Sequence, residues 1–248
     1  MKKLICLLLA VTMAACAGEY NKSEGTMETD VTATTYEEAV SAYNAGAYEE
    51  AYEKLAILGN YKDAAQLLAT IHAEKTGMMM ETTTSEGVST SNVAYSFQNG
   101  NLVNETVTHD DGTVTKKHYN NNDIGLCTSQ TLSEANGEQT VIHNFYKDGA
   151  VIRTGRINPD KSKDVCVYTY NDQGKILSHK LTLSDGTVEE AVYNYDEVTG
   201  QLLSIITKDS SNVFAYNQYG DVSNETLTAN GEEVYKISYS YDYNFSVE

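Results

Sequence analysis

From residue 95 to residue 243 the chain repeats about every 24 positions, and a period of that length fixes an architecture before any chemistry is considered. Units open with an aromatic pair spaced i, i+2: Tyr95/Phe97, His143/Phe145, Tyr168/Tyr170, Tyr193/Tyr195, Phe214/Tyr216 and Tyr239/Tyr241, with Tyr119 alone in the second unit. A glycine follows within a few residues, at Gly100, Gly125, Gly149, Gly174, Gly200 and Gly220. About a dozen residues after most of these comes a second turn, at Asp111-Gly112, Asn136-Gly137, Asp185-Gly186 and Asn230-Gly231. Two turns per period mean two strands per period, joined as an antiparallel meander. The segment Asn104-Glu-Thr-Val-Thr returns as Asn224-Glu-Thr-Leu-Thr five periods later, the mark of duplication. An earlier unit with the same order of signals, from Gly77 through Glu86-Gly87, brings the expectation to about fourteen strands, the first over Met78 to Thr84.

The strands should be wet on one face. In the last one, Tyr235, Ile237, Tyr239, Tyr241 and Tyr243 alternate with Lys236, Ser238, Ser240, Asp242 and Asn244. A flat sheet of this kind would expose an aromatic patch far beyond the few hundred Å² a monomer tolerates, so it must curl or be covered. The single proline, Pro159, falls where a turn is expected. The fold class is therefore α+β and mainly β: a short N-terminal helical hairpin module, then a repetitive antiparallel β meander of about fourteen strands, curled into a shell or barrel.

Ahead of the repeats the sequence changes character three times. Residues 1–15 read as an export signal, with Lys2 and Lys3 before an apolar run from Leu4 to Ala15 that is too short to span a bilayer. Met13-Ala-Ala-Cys16 resembles the lipobox of bacterial lipoproteins, with methionine where leucine is usual, and the resemblance implies cleavage and acylation, palmitate included, at Cys16. Residues 16–34 are rich in Thr, Glu, Ser and Asn without apolar periodicity, and read as a flexible tether reaching up to about 60 Å. Residues 35–76 read as a helical module: Thr35-Tyr-Glu-Glu38 has the form of a capping box, and helices are expected over 36–45, 48–58 and 61–75, broken at Gly46 and Gly59. Gly46-Ala-Tyr-Glu-Glu-Ala51 and Gly59-Asn-Tyr-Lys-Asp-Ala64 are similar to the helical hairpin of tetratricopeptide repeats, too few to form a peptide groove and better suited to capping the β region. Residues 77–248 form the β domain.

In that domain, Tyr168-Thr-Tyr-Asn-Asp-Gln-Gly-Lys-Ile and Tyr193-Asn-Tyr-Asp-Glu-Val-Thr-Gly-Gln-Leu resemble the tyrosine-aspartate (YD) repeats of rearrangement-hotspot and teneurin-type proteins. The resemblance covers about 150 residues and implies hairpins that build a spiralling β shell. Neither a self-cleaving core nor a toxin domain of the kind such shells enclose is recognisable in the sequence.

Charge and chemistry narrow the function. Removal of the signal leaves 15 basic against 35 acidic residues, a net charge of -20, which repels nucleic acid. No HExxH, GxSxG or phosphate-cradling loop occurs, and His72, His109, His118, His143 and His179 are scattered over different units. Asp148, Asp172, Asp196 and Asp221 recur in turns, where their oxygens serve backbone amides more often than calcium. Cys127 and Cys166 fall on strands three apart, roughly 14 Å sideways, too far for a disulfide. No catalytic residue, cofactor or metal site is assigned. Tyr170, Tyr195, Tyr216, Tyr239 and Tyr241 are the candidate ligand face, because aromatic faces stack on sugars and flat ligands, although the alternation explains the same tyrosines better as core packing. The sequence reading is thus a noncatalytic binding or scaffold module, lipid-anchored in the bacterial cell envelope on the periplasmic or extracellular side, with the membrane as partner and a glycan, peptide or envelope protein as ligand. Two alternatives stay open: a hydrolase whose site is assembled across strands, and an accessory or remnant piece of a repeat-based toxin system.

Overall fold

A computed structural model of the chain describes residues 29–98 and 100–247, and the acylation position Cys16 lies outside them. The chain divides into two compact units.

The helical unit holds α1 (Thr29–Asn44), α2 (Tyr48–Leu58) and α3 (Ala64–Leu68). Small residues on the facing sides let the helices approach, and Ala39, Ala42, Ala51, Leu55, Ala64 and Ile71 form its buried core. The aromatic rings of Tyr36, Tyr43, Tyr48 and Tyr52 surround this core, as does Phe245 from the last strand. Tyr36 donates to the Asp63 carboxylate and Tyr43 shares a 2.9 Å hydrogen bond with Thr70.

Helix boundaries differ from the sequence reading, and the third helix begins at Ala64 rather than residue 61. The first helix is already under way at Thr29, so Thr35 lies inside it rather than capping it, and residues 29–34 of the expected tether are helical. Thr and Val cost only a few tenths of a kcal/mol each in a helix, and packing downstream holds the segment. The third helix ends at Leu68, not residue 75, because Ile71 begins a strand. Thr70 closes the helix with a 2.7 Å bond from its hydroxyl to Leu67 O, and strand pairing then overrides the helical preference of Ala-Glu-Lys.

The β unit is a closed antiparallel barrel of fourteen strands, each paired with its chain neighbours, with the first beside the last. In order they are β1 (Ile71–Thr84), β2 (Gly87–Gln98), β3 (Asn101–His109), β4 (Val114–Asn121), β5 (Cys127–Ser133), β6 (Gln139–Lys147) and β7 (Ala150–Ile157). There follow β8 (Lys163–Tyr170), β9 (Ile176–Thr182), β10 (Val188–Tyr195), β11 (Leu202–Thr207), β12 (Ser210–Tyr216), β13 (Val222–Ala229) and β14 (Glu232–Val247). Closure removes the free edges that a meander this long would otherwise present. The residues 71–76 and 242–247 at the ends of β1 and β14 belong to the helical unit.

Both turns of each period form as their chemistry dictates. At Gly174, φ is 78°, and the Asn171 side-chain oxygen accepts from the amides of Gln173 and Lys175 at 3.0 and 2.9 Å. At the other end, the unit with Pro159 lacks a turn glycine and Lys161 takes the left-handed conformation instead, at φ 65°. Asp111, Asp160 and Asp185 each accept from the amide two residues on, so these carboxylates serve the turns.

Along β4, β6, β8 and β10 more and less buried residues alternate, and the outward face carries Lys116, His118 and Asn120 on β4, the Lys180–Glu190 cross-strand pair on β9 and β10, and exposed Val165, Val167, Val192 and Val213. In a lipid-facing band, a lysine costs about 2–4 kcal/mol at the bilayer midplane, so Lys116 and Lys180 favour water at their positions. No described helix is long and apolar enough to cross a membrane.

Candidate functional site

The third unit shows how register decides which residues face inward. The pair His143/Phe145, read from sequence as the aromatic pair, lies on the outer face, where Phe145 is 42% exposed and stacked under Arg153 at 4.1 Å. The inward pair is Asn144 and Tyr146. A one-residue shift swaps faces, and the aromatic pattern alone chose the wrong one.

With that correction, one position recurs around the barrel: Asn121, Tyr146, Tyr170, Tyr195, Tyr216 and Tyr241. Each except Tyr241 sits where the strand register shifts by a bulge before the turn glycine that follows. Each also reaches back to the backbone two residues past the preceding turn glycine. Tyr146 donates to Cys127 O at 2.8 Å, Tyr170 to Val151 O, Tyr216 to Leu202 O at 2.8 Å and Tyr241 to Val222 O at 2.7 Å. Tyr195 hydrogen-bonds the Ile176 backbone. Asn121, where the second unit lacks its tyrosine, makes the same link with its amide to Leu102 O at 3.0 Å. A bulge leaves ladder groups unpaired, and the side chain supplies the missing donor. This row ties three consecutive strands together.

The five candidate tyrosines therefore separate. Tyr170, Tyr195, Tyr216 and Tyr241 share the bulge row, half-buried, with Tyr195 and Tyr216 packed on a core of Ala191, Tyr193, Leu202, Ile205, Phe214 and Val222. Burial, then the neighbouring phenols of Tyr170 and Tyr216, push the Tyr195 hydroxyl up to about 12. Tyr239 belongs to a deeper row and donates to Glu225 at 2.9 Å.

The residues that sequence reasoning passed over are polar and point inward. Five residues past each turn glycine stand Glu105, Gln130, His179, Ile205 and Glu225, with Thr154 at the same point of the third unit, all buried. Glu105 accepts from the Lys117 ammonium at 2.6 Å and the Tyr119 hydroxyl at 2.9 Å. Glu225, 1% exposed, accepts from Asn212 at 2.7 Å, Tyr235 at 2.6 Å and Tyr239 at 2.9 Å. Burial, followed by the Glu225 charge, raises the phenol pKa of Tyr235 and of Tyr239. His179 shares a 2.9 Å hydrogen bond with Tyr193 and lies edge-on between the rings of Tyr168 and Tyr193. The one sequence signal for this row was the duplicated Asn-Glu-Thr motif, whose glutamates are Glu105 and Glu225.

These groups are held rather than poised for chemistry. Glu105 and Glu225 accept hydrogen bonds from side chains on the strands beside them, which fixes where their carboxylates sit. Cys127 and Cys166, on β5 and β8, are not joined in a disulfide. Among the described residues no group of three or more His, Cys, Asp or Glu is arranged to hold a metal ion.

His179 makes the barrel's stability respond to pH. Burial lowers its pKa from 6.5, so the folded state resists protonation more than the unfolded chain does. Stability is full above about pH 6.5 and falls as pH drops through the depressed folded value. Urea midpoints measured from pH 7.5 to 5 should decline in the native protein and decline less in His179→Gln; parallel curves would mean the imidazole is solvated.

No protein-family model and no curated protein matches the sequence. Among solved structures the chain is similar to a porin-like protein from Bacteroides uniformis, at 9% identity and a TM-score of 0.40, over 68% of this chain and 98% of that one. It is also similar to a domain assigned as an outer membrane lipoprotein-sorting protein from Vibrio parahaemolyticus, at 12% identity and a TM-score of 0.29, over 71% and 84%. A third is a LolA superfamily protein from Nitrosomonas europaea, at 9% identity and a TM-score of 0.26, over 71% and 86%. Likenesses this distant carry no argument about function, which rests on the chain's own residues.

Proposed function

We propose that this protein is a lipid-anchored component of the bacterial cell envelope whose β-repeat domain is a noncatalytic binding or scaffold module. The observation that carries this reading is the use the barrel makes of its tyrosines. Hydroxyls that a ligand face would leave free are committed, unit after unit, to backbone carbonyls at the bulges. Tyr170, Tyr195, Tyr216 and Tyr241 then hold the repeats in register, and partners meet the water-facing strands and turns. The same recurrence supports kinship with the tyrosine-aspartate repeats, since it gives the Tyr-x-Tyr…Gly pattern a physical role. The anchor rests on Lys2, Lys3 and the Met13-Ala-Ala-Cys16 segment.

Two measurements test the proposal. Metabolic labelling with a palmitate analogue should mark the native chain and fail on Cys16→Ser; an unlabelled native chain sinks the anchor. Tyr216→Phe should cost about 0.5–1.5 kcal/mol in urea while surface crosslinking captures the same envelope partners as the native protein. Loss of those partners with unchanged stability would instead make the tyrosine row the ligand face.

A further inference from the structure

Glu105 and Glu225 hold the same position in repeats 120 residues apart, yet the barrel treats their charges differently. Across β3 and β4, Lys117 stands directly opposite Glu105 and supplies an ammonium at 2.6 Å. Across β13 and β14, the residue directly opposite Glu225 is Ile237. The three donors on Glu225 are neutral: one amide and two phenols. A carboxylate removed from water costs several kcal/mol unless a positive group faces it, and neutral hydrogen bonds offset only part of that. Of the roughly four lone-pair directions on a carboxylate, three are filled.

A second observation falls on the same group of atoms. Asn212 is fully buried, its NH2 lies on Glu225 Oε1, and its own Oδ1 has no hydrogen-bond partner. An orphaned buried amide oxygen costs about 1–3 kcal/mol. An acid with an unfilled lone pair, bonded to an amide with an unfilled carbonyl oxygen, lacks a positive group.

We propose that Glu225 and Asn212 hold a small monovalent cation, sodium or potassium, in the place that the Lys117 ammonium takes beside Glu105. The chemistry selects the class. The donors are hard oxygens and the site carries one formal negative charge, which a singly charged ion neutralises. Calcium sites gather several carboxylates, and this cluster has the one of Glu225, so a divalent ion would leave an excess positive charge in a dry site. The inference departs from the sequence reading, which assigned no metal, because the pairing that exposes the missing charge exists only in the folded register.

The test is urea unfolding of the full chain in sodium chloride, potassium chloride or N-methylglucamine chloride at one ionic strength, so that screening of the acidic surface is constant. The native protein should be more stable in an alkali salt; at one hundred times the dissociation constant its folded-to-unfolded ratio rises about a hundred-fold. Ile237→Lys, which sets an ammonium in the register of Lys117, should abolish that dependence, as should Glu225→Gln. Identical native curves in all three salts would overturn the proposal, a result that needs no variant to fold. So would an ion dependence that survives in both Ile237→Lys and Glu225→Gln.

Discussion

Asp164→Ala should destabilise the barrel by about 3–5 kcal/mol, read as a lower urea midpoint. Asp164 is 3% exposed and Arg156 is 9% exposed, facing one another across β7 and β8. The Arg156 Nε and Nη2 both donate to Asp164 Oδ2, which also accepts from the Asn158 amide at 2.9 Å. Oδ1 accepts the Ser184 backbone N–H at 2.9 Å. Removing the carboxylate strands a guanidinium in a dry site and deprives two further donors of their acceptor. The loss therefore reflects an uncompensated charge more than the worth of the pair itself. Arg156→Met combined with Asp164→Leu should accordingly recover most of it. Burial alone would raise the Asp164 pKa, but the hydrogen bonds from Asn158, Arg156 and Ser184 outweigh it and the folded value lies below 3.8. The contribution is thus complete above about pH 4 and is lost as pH falls through the folded value. A cost below about 1 kcal/mol for Asp164→Ala would mean that water reaches the pair.

That ion pair also marks where the sequence stopped being informative. Alternation says which positions share a face, and it identified the strands, the turns and the inward side of β8, β10 and β14, where two tyrosines stand at i and i+2. It assumes that inward means apolar. Gln130, Thr154, Arg156, Asp164 and His179 break that assumption; Thr154 meets Tyr168, Arg156 meets Asp164 and His179 meets Tyr193 on an adjacent strand, and partners across strands carry no local signature. The third unit failed for a related reason: Phe145 is aromatic and outward, Asn144 is polar and inward, and only the bulge at Phe145/Tyr146 and the link to Cys127 O fix the register. Glu105 and Glu225 were visible as a duplication and invisible as a site, since the difference between them lies in Lys117 and Ile237 on the strands opposite.

Ile205→Ala should cost about 2–5 kcal/mol and decides between the two ways of reading the inner face. Ile205 is the apolar member of the otherwise polar inward row and is fully buried, in one core with Tyr193, Leu202 and Phe214 and with Tyr195 and Tyr216 packed against it. Opposite it on β12 stands Asn212, the amide that holds Glu225. Truncation would open a space beside these aromatic rings, and the hydroxyls of Tyr193, Tyr195 and Tyr216 are tied by hydrogen bonds, so those rings cannot follow it inward. The penalty then includes the void as well as the lost transfer term. Val165→Ala on the outer face, where Val165 is 36% exposed, removes similar chemistry from water-facing surface and should stay within about 0.5 kcal/mol. If Ile205→Ala instead costs no more than Val165→Ala, water already reaches this row. The tyrosines beside it would then line an open surface available to a ligand, and their links to the backbone would be incidental to binding. A large difference between the two variants means that the inner face is filled, which leaves the turns and the outer strands to meet a partner.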